Sequence, residues 1–239
     1  MQIKDSVALV TGANRGIGRE FVAALAARGA RRIYAAMRDP AGYQAPAGPV
    51  EVIALDITDP SAVAEAAIGA NDVRLLINNA GINRVRRFLD QTDDAAARAE
   101  METNYFGTLA MCRAFAPIIA GHGGGAIVNV LSVLARITLP AMGSLCASKA
   151  AAYRMTDGIR AELKAKNVSV LAVLPGVTDT DMMKDYPPPK MPPAFVANAA
   201  LDGVEQGAEE IYPGDMASGM AAGLIGDRAA IRAELANYL

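Results

Sequence analysis

A few residues carry most of the chemistry that can be read from this chain. In Thr11-Gly12-Ala13-Asn14-Arg15-Gly16-Ile17-Gly18, three glycines follow a short apolar run, Val7 to Val10. Gly12 permits a tight turn, Gly16 lets backbone N–H groups approach a pyrophosphate, and Gly18 lets a following helix pack close to the strand. The helix start then offers unpaired N–H groups and a partial positive charge to the anion. The spacing is Gly-x-x-x-Gly-x-Gly, not Gly-x-Gly-x-x-Gly, and a glycine turn of this kind also serves as a plain strand-to-helix corner.

Downstream residues narrow that choice. Arg38 lies twenty residues after Gly18, where an acidic side chain would bond a ribose 2′-OH and an arginine suits a 2′-phosphate. Arg15 adds a second cation on the same side, so the pair favours NADP(H) over NAD(H). The plainer alternative makes Arg38 and Asp39 an ordinary surface pair. Asp56, before Ile57, can accept from an adenine amino group. The small residues of Asn78-Asn79-Ala80-Gly81 let backbone pass close to the adenosine ribose. Either stretch alone is compatible with an ordinary turn. Ser132 follows the apolar run Ile127 to Leu131 and can donate its hydroxyl to a substrate oxygen. Lys149 lies on a helix, and its ammonium would depress the pKa of a phenol placed beside it. Asn104 can kink its helix and hold a water for a proton relay. Singly these are a strand cap, a surface lysine and a helix asparagine; together with the glycine loop they describe a redox site.

Such residues need a scaffold that brings distant points of the chain to one edge. Strand-like apolar runs occur at Val7–Val10, Arg32–Met37, Val50–Leu55, Val73–Ile77, Ala126–Leu131, Val168–Leu174 and near Ile211–Tyr212. Helical patterns begin near Gly16, Pro60, Asp93, Gly143 and Phe195, the first running through Arg19 to Arg28 and closing on Gly29. Continuous apolar strands alternating with helices predict a parallel sheet buried on both faces, joined by right-handed crossovers. This is an α/β, doubly wound Rossmann fold: seven parallel strands, helices on both faces, and ligands outside the strands' carboxyl ends.

The chain's 239 residues suffice for one large core, and no linker divides them, so residues 1–239 read as a single domain. A net charge of −2 gives no basic face for nucleic acid. Arg84-Val85-Arg86-Arg87 reads as a solvated loop or helix start. The longest apolar region, Ala126 to Gly143, is broken by Asn129, Ser132, Arg136 and Pro140, which argues against a membrane span. Cys112 and Cys146 have no metal-ligand spacing, and no signal-like segment precedes the first strand; the expectation is a cytoplasmic protein. Asp179, Asp181 and Asp185 read as the solvated start of a loop, with no metal expected. His122, in a glycine-rich turn, is not nominated as a base.

Thr11-Gly-x-x-x-Gly-x-Gly18, Asp56, Asn78-Asn-Ala-Gly81, Asn104, Ser132, Ser148-Lys149 and Pro175-Gly-x-x-x-Thr180 together resemble the short-chain dehydrogenase/reductase family, in order and across most of the chain. The resemblance implies an NADP(H)-dependent oxidoreductase acting on a small carbonyl or alcohol, commonly a homotetramer or homodimer. It implies a cofactor site formed by Gly12, Asn14, Arg15, Gly16, Ile17, Gly18, Arg38, Asp56, Ile57, Asn79, Ala80, Gly81, Lys149, Pro175, Gly176, Thr178 and Thr180. Within it the Thr178 N–H would meet the nicotinamide carboxamide, and Thr180 the carboxamide or a phosphate. It implies an active site of Asn104, Ser132, Lys149 and a tyrosine four residues before that lysine.

Here the chain departs from the family. The expected tyrosine is Leu145, thirteen residues after Ser132, at the family's interval. Leucine has no proton to donate. Tyr153 lies on the far side of Lys149 and would point away from the strand ends, and Cys146 is rotated by about 100° from the Leu145–Lys149 face. Three readings follow: an oxidoreductase carrying an inactivating or repurposing substitution, a reductase of activated C=C or C=N bonds that needs no phenol, or a non-catalytic NADP(H)-binding protein. The retained Asn104, Ser132 and Lys149 favour the first.

From Tyr186 to Pro193, five prolines in eight residues predict a stiff loop over the site, part of a lid spanning about 182–200, with a helix from Phe195. Met182, Met183, Tyr186, Met191 and Phe195 would give it an apolar underside. That suits a hydrophobic substrate, aromatic ones included, or a lid packed on the core.

Overall fold

A computed structural model of the chain describes residues 1–89 and 93–236. The strands are β1 (Val7–Thr11), β2 (Arg32–Met37), β3 (Val50–Ala54), β4 (Leu75–Asn78), β5 (Gly125–Val130), β6 (Val168–Val173) and β7 (Glu210–Ile211). They form one parallel sheet in the order β3-β2-β1-β4-β5-β6-β7. The winding direction reverses between β1 and β4, where the two strand ends part and leave a crevice.

Alternation along β1 divides the core. Ala8 and Val10 face the layer built by α1 (Gly16–Ala27) and α6 (Pro193–Gln206), with Phe21, Leu25, Val196 and Leu201. Val7 and Leu9 face the opposite layer, built by α2 (Pro60–Gly69), α4 (Thr108–Gly121) and α5 (Gly143–Leu163), with Val63, Phe115, Ile119 and Leu163. Side chains on successive strand residues point to opposite faces, so a strand apolar throughout must be covered on both. The doubly wound architecture is the one predicted.

Several boundaries move. The fourth strand begins at Leu75, not Val73, and the helix expected near Asp93 is α3 (Ala95–Met101). It passes through a π-helical stretch, Glu102–Gly107, before continuing as α4. The sixth helix starts at Pro193, not Phe195. Proline lacks an N–H and fits the first turn of a helix, where that N–H would be unpaired anyway. The non-helical proline segment is therefore shorter by one proline. Val85 and its arginine neighbours form a loop, tied to α5 by Gly143 N–H donating to the Arg86 carbonyl at 3.0 Å. Two helices were not predicted, α7 (Gly214–Gly226) and α8 (Arg228–Ala236). Among the described residues no helix is long and apolar enough to cross a membrane.

Candidate active site

The crevice is laced shut at its base. Thr11 Oγ1 accepts from the Asn79 and Ala80 N–H groups, each at 3.0 Å, and Asn79 Nδ2 donates to the Thr11 and Gly12 carbonyls at 3.0 and 3.2 Å. Gly12 (φ 64°) and Gly16 (φ 52°) take the left-handed conformation that disfavours side chains. A Cβ on Gly18 would lie 2.1 Å from the Gly12 carbonyl oxygen, so helix and turn approach as only glycine allows. Whereas α2 is capped by Asp59 Oδ1 accepting from Ser61 N–H at 2.8 Å, α1 has no side-chain cap. Its first turn keeps open donors toward the crevice.

A cavity of about 500 Å³ runs from this turn along the strand ends. Every predicted cofactor residue except Gly18 lines it, as do Ser132, Leu145 and Lys149; Asn104 does not. At one end sit Arg38 and Asp56. Burial would raise the Asp56 pKa, but Thr58, donating through N–H (2.9 Å) and Oγ1 (2.7 Å), and the Arg38 charge hold it below its ordinary value. Asp56 thus faces the cavity as a carboxylate. Arg15 pairs with Asp181 at 3.3 Å, both well exposed.

At the other end, Lys149 is buried and its Nζ donates to the Val130 carbonyl at 2.9 Å. Desolvation pulls its pKa down to about 8. Ser132 Oγ accepts from Leu134 N–H at 3.1 Å, which leaves its own proton free to donate. Asn104 is buried in the π-helical stretch. Its Nδ2 donates to the Ile82 carbonyl (3.0 Å) and Ser148 Oγ (2.9 Å), and its Oδ1 accepts from Ile82 N–H (2.9 Å). The expected helix irregularity is present, but the side-chain amide spends both donors on protein, so it is a clamp on the loop after β4 more than a water carrier. A Cβ on Gly81 would lie 3.0 Å from Asn104 Oδ1 and 3.4 Å from Lys149 Nζ, so this glycine admits both groups to the crevice.

Leu145 is 7% exposed and packs with Ile137, Leu139, Met142, Cys146 and Leu235. Neither neighbour offers a proton in its stead. Cys146 Sγ takes the Leu139 N–H at 3.3 Å, and burial pushes its thiol pKa up. Tyr153 donates to Glu210 Oε2 at 2.6 Å beside β7; burial and that carboxylate push it up to about 12.

The loop after β6 is held by a short parallel bridge between Thr178 and Met191, with Met191 N–H on the Val177 carbonyl and Asp179 N–H on the Met191 carbonyl. Thr178 is buried, and Pro175, Gly176 and Thr180 lie on the same cavity wall. Of the expected lid residues, Met182, Met183 and Tyr186 line the cavity. Met191 instead packs on the central core, and Phe195 is 52% exposed, so neither belongs to an apolar underside. His122 Nε2 lies 2.8 Å from the Asn71 carbonyl, and His122 does not line the cavity.

Some cavity residues escaped the sequence reading. Met216 and Met220 of α7 and Glu234 and Leu235 of α8 close the side opposite the sheet. Glu100, on α3, is fully buried, and its Oε1 receives the Arg84 N–H while Oε2 has no partner. An acidic residue among alanines reads as solvent-facing, so nothing in the local pattern marked it.

Comparison with known proteins bears on the family and the fold. The short chain dehydrogenase family model matches residues 6–190. A solved short chain dehydrogenase from Burkholderia cenocepacia J2315, in complex with NADP, is 52% identical, with a TM-score of 0.94 over 98% of this chain and 99% of that one. Galactitol 2-dehydrogenase (L-tagatose-forming) of Cereibacter sphaeroides is 37% identical over 190 residues, 76% of this chain and 74% of that protein. A probable oxidoreductase EphD of Mycobacterium bovis is also 37% identical, over 75% of this chain, which spans only 32% of that longer protein. On these grounds the chain belongs to the short-chain dehydrogenase family.

Proposed function

We propose that this protein is an NADP(H)-dependent oxidoreductase of the carbonyl reductase or alcohol dehydrogenase type, in which Leu145 takes the place of the proton-donating tyrosine. The observation that carries the reading is the single cavity that joins Arg38 and Asp56, past the uncapped start of α1, to Ser132, Leu145 and Lys149. The residues fit the cofactor. Gly12 and Gly16 open the turn, and a Cβ on Gly16 would crowd Thr180 at 3.0 Å. Arg15 and Arg38 would hold a 2′-phosphate, Asp56 and Ile57 the adenine, and Asn79 to Gly81 the adenosine ribose. Lys149, Pro175, Gly176, Thr178 and Thr180 would hold the nicotinamide half, with Asn14 and Ile17 completing the loop. The whole of residues 1–239 is read as one domain with a lid over about 182–200, acting as a homodimer or homotetramer.

When bound, the reduced cofactor supplies a hydride to the carbonyl carbon, and the oxygen then needs stabilising and protonating. Ser132 donates a hydrogen bond to that oxygen. Lys149, with a pKa near 8, has a proton to release close to neutral pH, where acid catalysis is most effective. Asn104 fixes the Ile82 loop on which the substrate would rest. No phenol bridges these groups, so ketone reduction is impaired in this sequence. The hydrophobic wall around Leu145 favours a second reading, reduction of activated C=C or C=N bonds. The experiment is NADPH titration, followed by turnover of ketones, enones and iminium ions in wild type and Leu145→Tyr. Tight NADPH binding with ketone turnover gained in the variant supports the reading. Absence of NADPH binding refutes it, and binding without turnover in either form leaves a non-catalytic binder.

A further inference from the structure

The half of the cavity away from the glycine loop is apolar, walled by Leu139, Met142, Leu145, Met183, Met220 and Leu235. Three acidic residues belong to or join α7 and α8, namely Asp215, Asp227 and Glu234, and only Glu234 lines the cavity. Neither Arg228 nor Arg232 lines it, and among the described residues Glu234 has no ion pair. Of the other charges nearby, Asp181 is paired with Arg15, and Lys149 spends one ammonium donor on the Val130 carbonyl and belongs to the nicotinamide end of the cavity. Tyr186 lines the same space. Away from Ser132 and Lys149, an occupant of this half therefore meets hydrocarbon, thioethers, one tyrosine and one carboxylate without an ion pair.

We propose that Glu234 is a specificity-determining residue that selects apolar substrates carrying a positively charged nitrogen, and that the preferred acceptor is an iminium ion. This rests on the reading of the site as an NADP(H)-dependent one. An exposed carboxylate lining the cavity attracts a cation, and a tyrosine and polarisable sulfurs suit the alkyl shell around it. The chemistry matches the missing phenol. A hydride adds to the carbon of C=N⁺, the π pair becomes the nitrogen lone pair, and the reduced nicotinamide is oxidised. The product is a neutral amine, so no proton is required during transfer, and the amine takes one from water afterwards. A ketone in the same place makes an oxyanion and needs an acid that Leu145 cannot be. Because Glu234 attracts the cation without touching the reacting atoms, its contribution falls on binding more than on the chemical step.

The test uses the whole protein loaded with NADPH, and in parallel without it. Calorimetry compares N-benzylpiperidine, cationic at pH 7, with neutral N-benzoylpiperidine; kinetics compares an N-alkyl cyclic iminium ion with a neutral enone of the same ring size. The expected result is a preference for the cation of about 1.5- to 5-fold, the range of an exposed charge contact, weakening with salt. Glu234→Gln should erase that preference, Glu234→Lys should reverse it, and KM for the iminium ion should rise in Glu234→Gln with kcat unchanged. Equal binding of the two probes in wild type, or a preference that survives Glu234→Gln, overturns the inference. Loss of NADPH binding would overturn the cofactor reading instead, and the cofactor-free titration would still report whether Glu234 selects the cation.

Discussion

Lys149 Nζ donates to the Val130 carbonyl across 2.9 Å, locking the helix that carries the amine to the strand that ends beside Ser132. The bond satisfies one donor of a buried ammonium and leaves the rest aimed at the crevice. Desolvation explains why the pKa falls to about 8. The unfolded chain therefore binds more protons than the folded one between about pH 8 and the ordinary lysine value of 10.5. Stability from this group rises with pH through that window, by about 3 kcal/mol, and is lowest below it. Cofactor-free wild type and Lys149→Met, compared by urea unfolding at pH 7 and pH 10, should differ in Lys149→Met's favour at pH 7, with the gap closing at pH 10. A gap independent of pH would show that the amine titrates normally.

The glycine turn yields a paired prediction. Gly18→Ala puts a methyl 2.1 Å from the Gly12 carbonyl oxygen, where backbone must move. It should cost about 2 kcal/mol or more, and weaken NADPH binding as well. Gly158→Ala, on the exposed face of α5 with nothing within 4 Å, should gain about 0.5–1 kcal/mol from helix propensity. Denaturant midpoints of the two variants, with NADPH titrations, check both.

Cofactor choice turns on the two arginines. NADPH should bind more tightly than NADH by about 1–3 kcal/mol, the scale of charge-assisted hydrogen bonds. Arg38→Asp should shift preference toward NADH, because the new carboxylate repels a 2′-phosphate and accepts from a 2′-OH. Arg15→Ala should have a smaller effect, since Arg15 already shares its charge with Asp181 at 3.3 Å. Fluorescence titration with both cofactors decides it, and equal affinities in wild type would count against the assignment.

The scaffold was largely legible because it rests on local signals: apolar runs long enough for buried strands, and glycines at the turn after Val10. What was not legible depends on packing. The α7 sequence has glycine at 214, 219, 223 and 226 and no charged face to contrast with its methionines, so no helical period stands out. The π-helical turn at Asn104 comes from a hydrogen-bond shift that apolar spacing does not encode. The burial of Glu100 is set by the Arg84 N–H it receives, a partner sixteen residues away in the chain. Most site residues read from the sequence line one cavity for a physical reason: Gly12, Arg38, Asp56, Asn79, Ser132 and Pro175 each follow a strand, and parallel strands end together, while Leu145 and Lys149 reach the same edge from α5.

Restoring a phenol should be visible in rate. A positioned acid is worth about 10²–10⁴-fold, or roughly 3–5 kcal/mol. Leu145→Tyr should raise kcat/KM for simple ketones by that factor and leave NADPH affinity within about twofold. Iminium ions should gain far less. Unchanged ketone turnover in a folded, cofactor-binding variant would mean that the proton comes from elsewhere, with Lys149 the first group to examine.

Met142, Met183, Met216 and Met220 all line the cavity, and this composition makes the wall chemically rewritable. Each thioether has rotatable bonds enough to fit ligands of different outline, so shape alone discriminates weakly there. Met216, which is exposed, is also open to peroxide. Conversion to the sulfoxide would set a polar, chiral S=O group where an alkyl surface had been, without altering the glycine turn or the arginines. A protein stored under oxidising conditions would then lose its grip on hydrocarbon, and methionine sulfoxide reductase would return it.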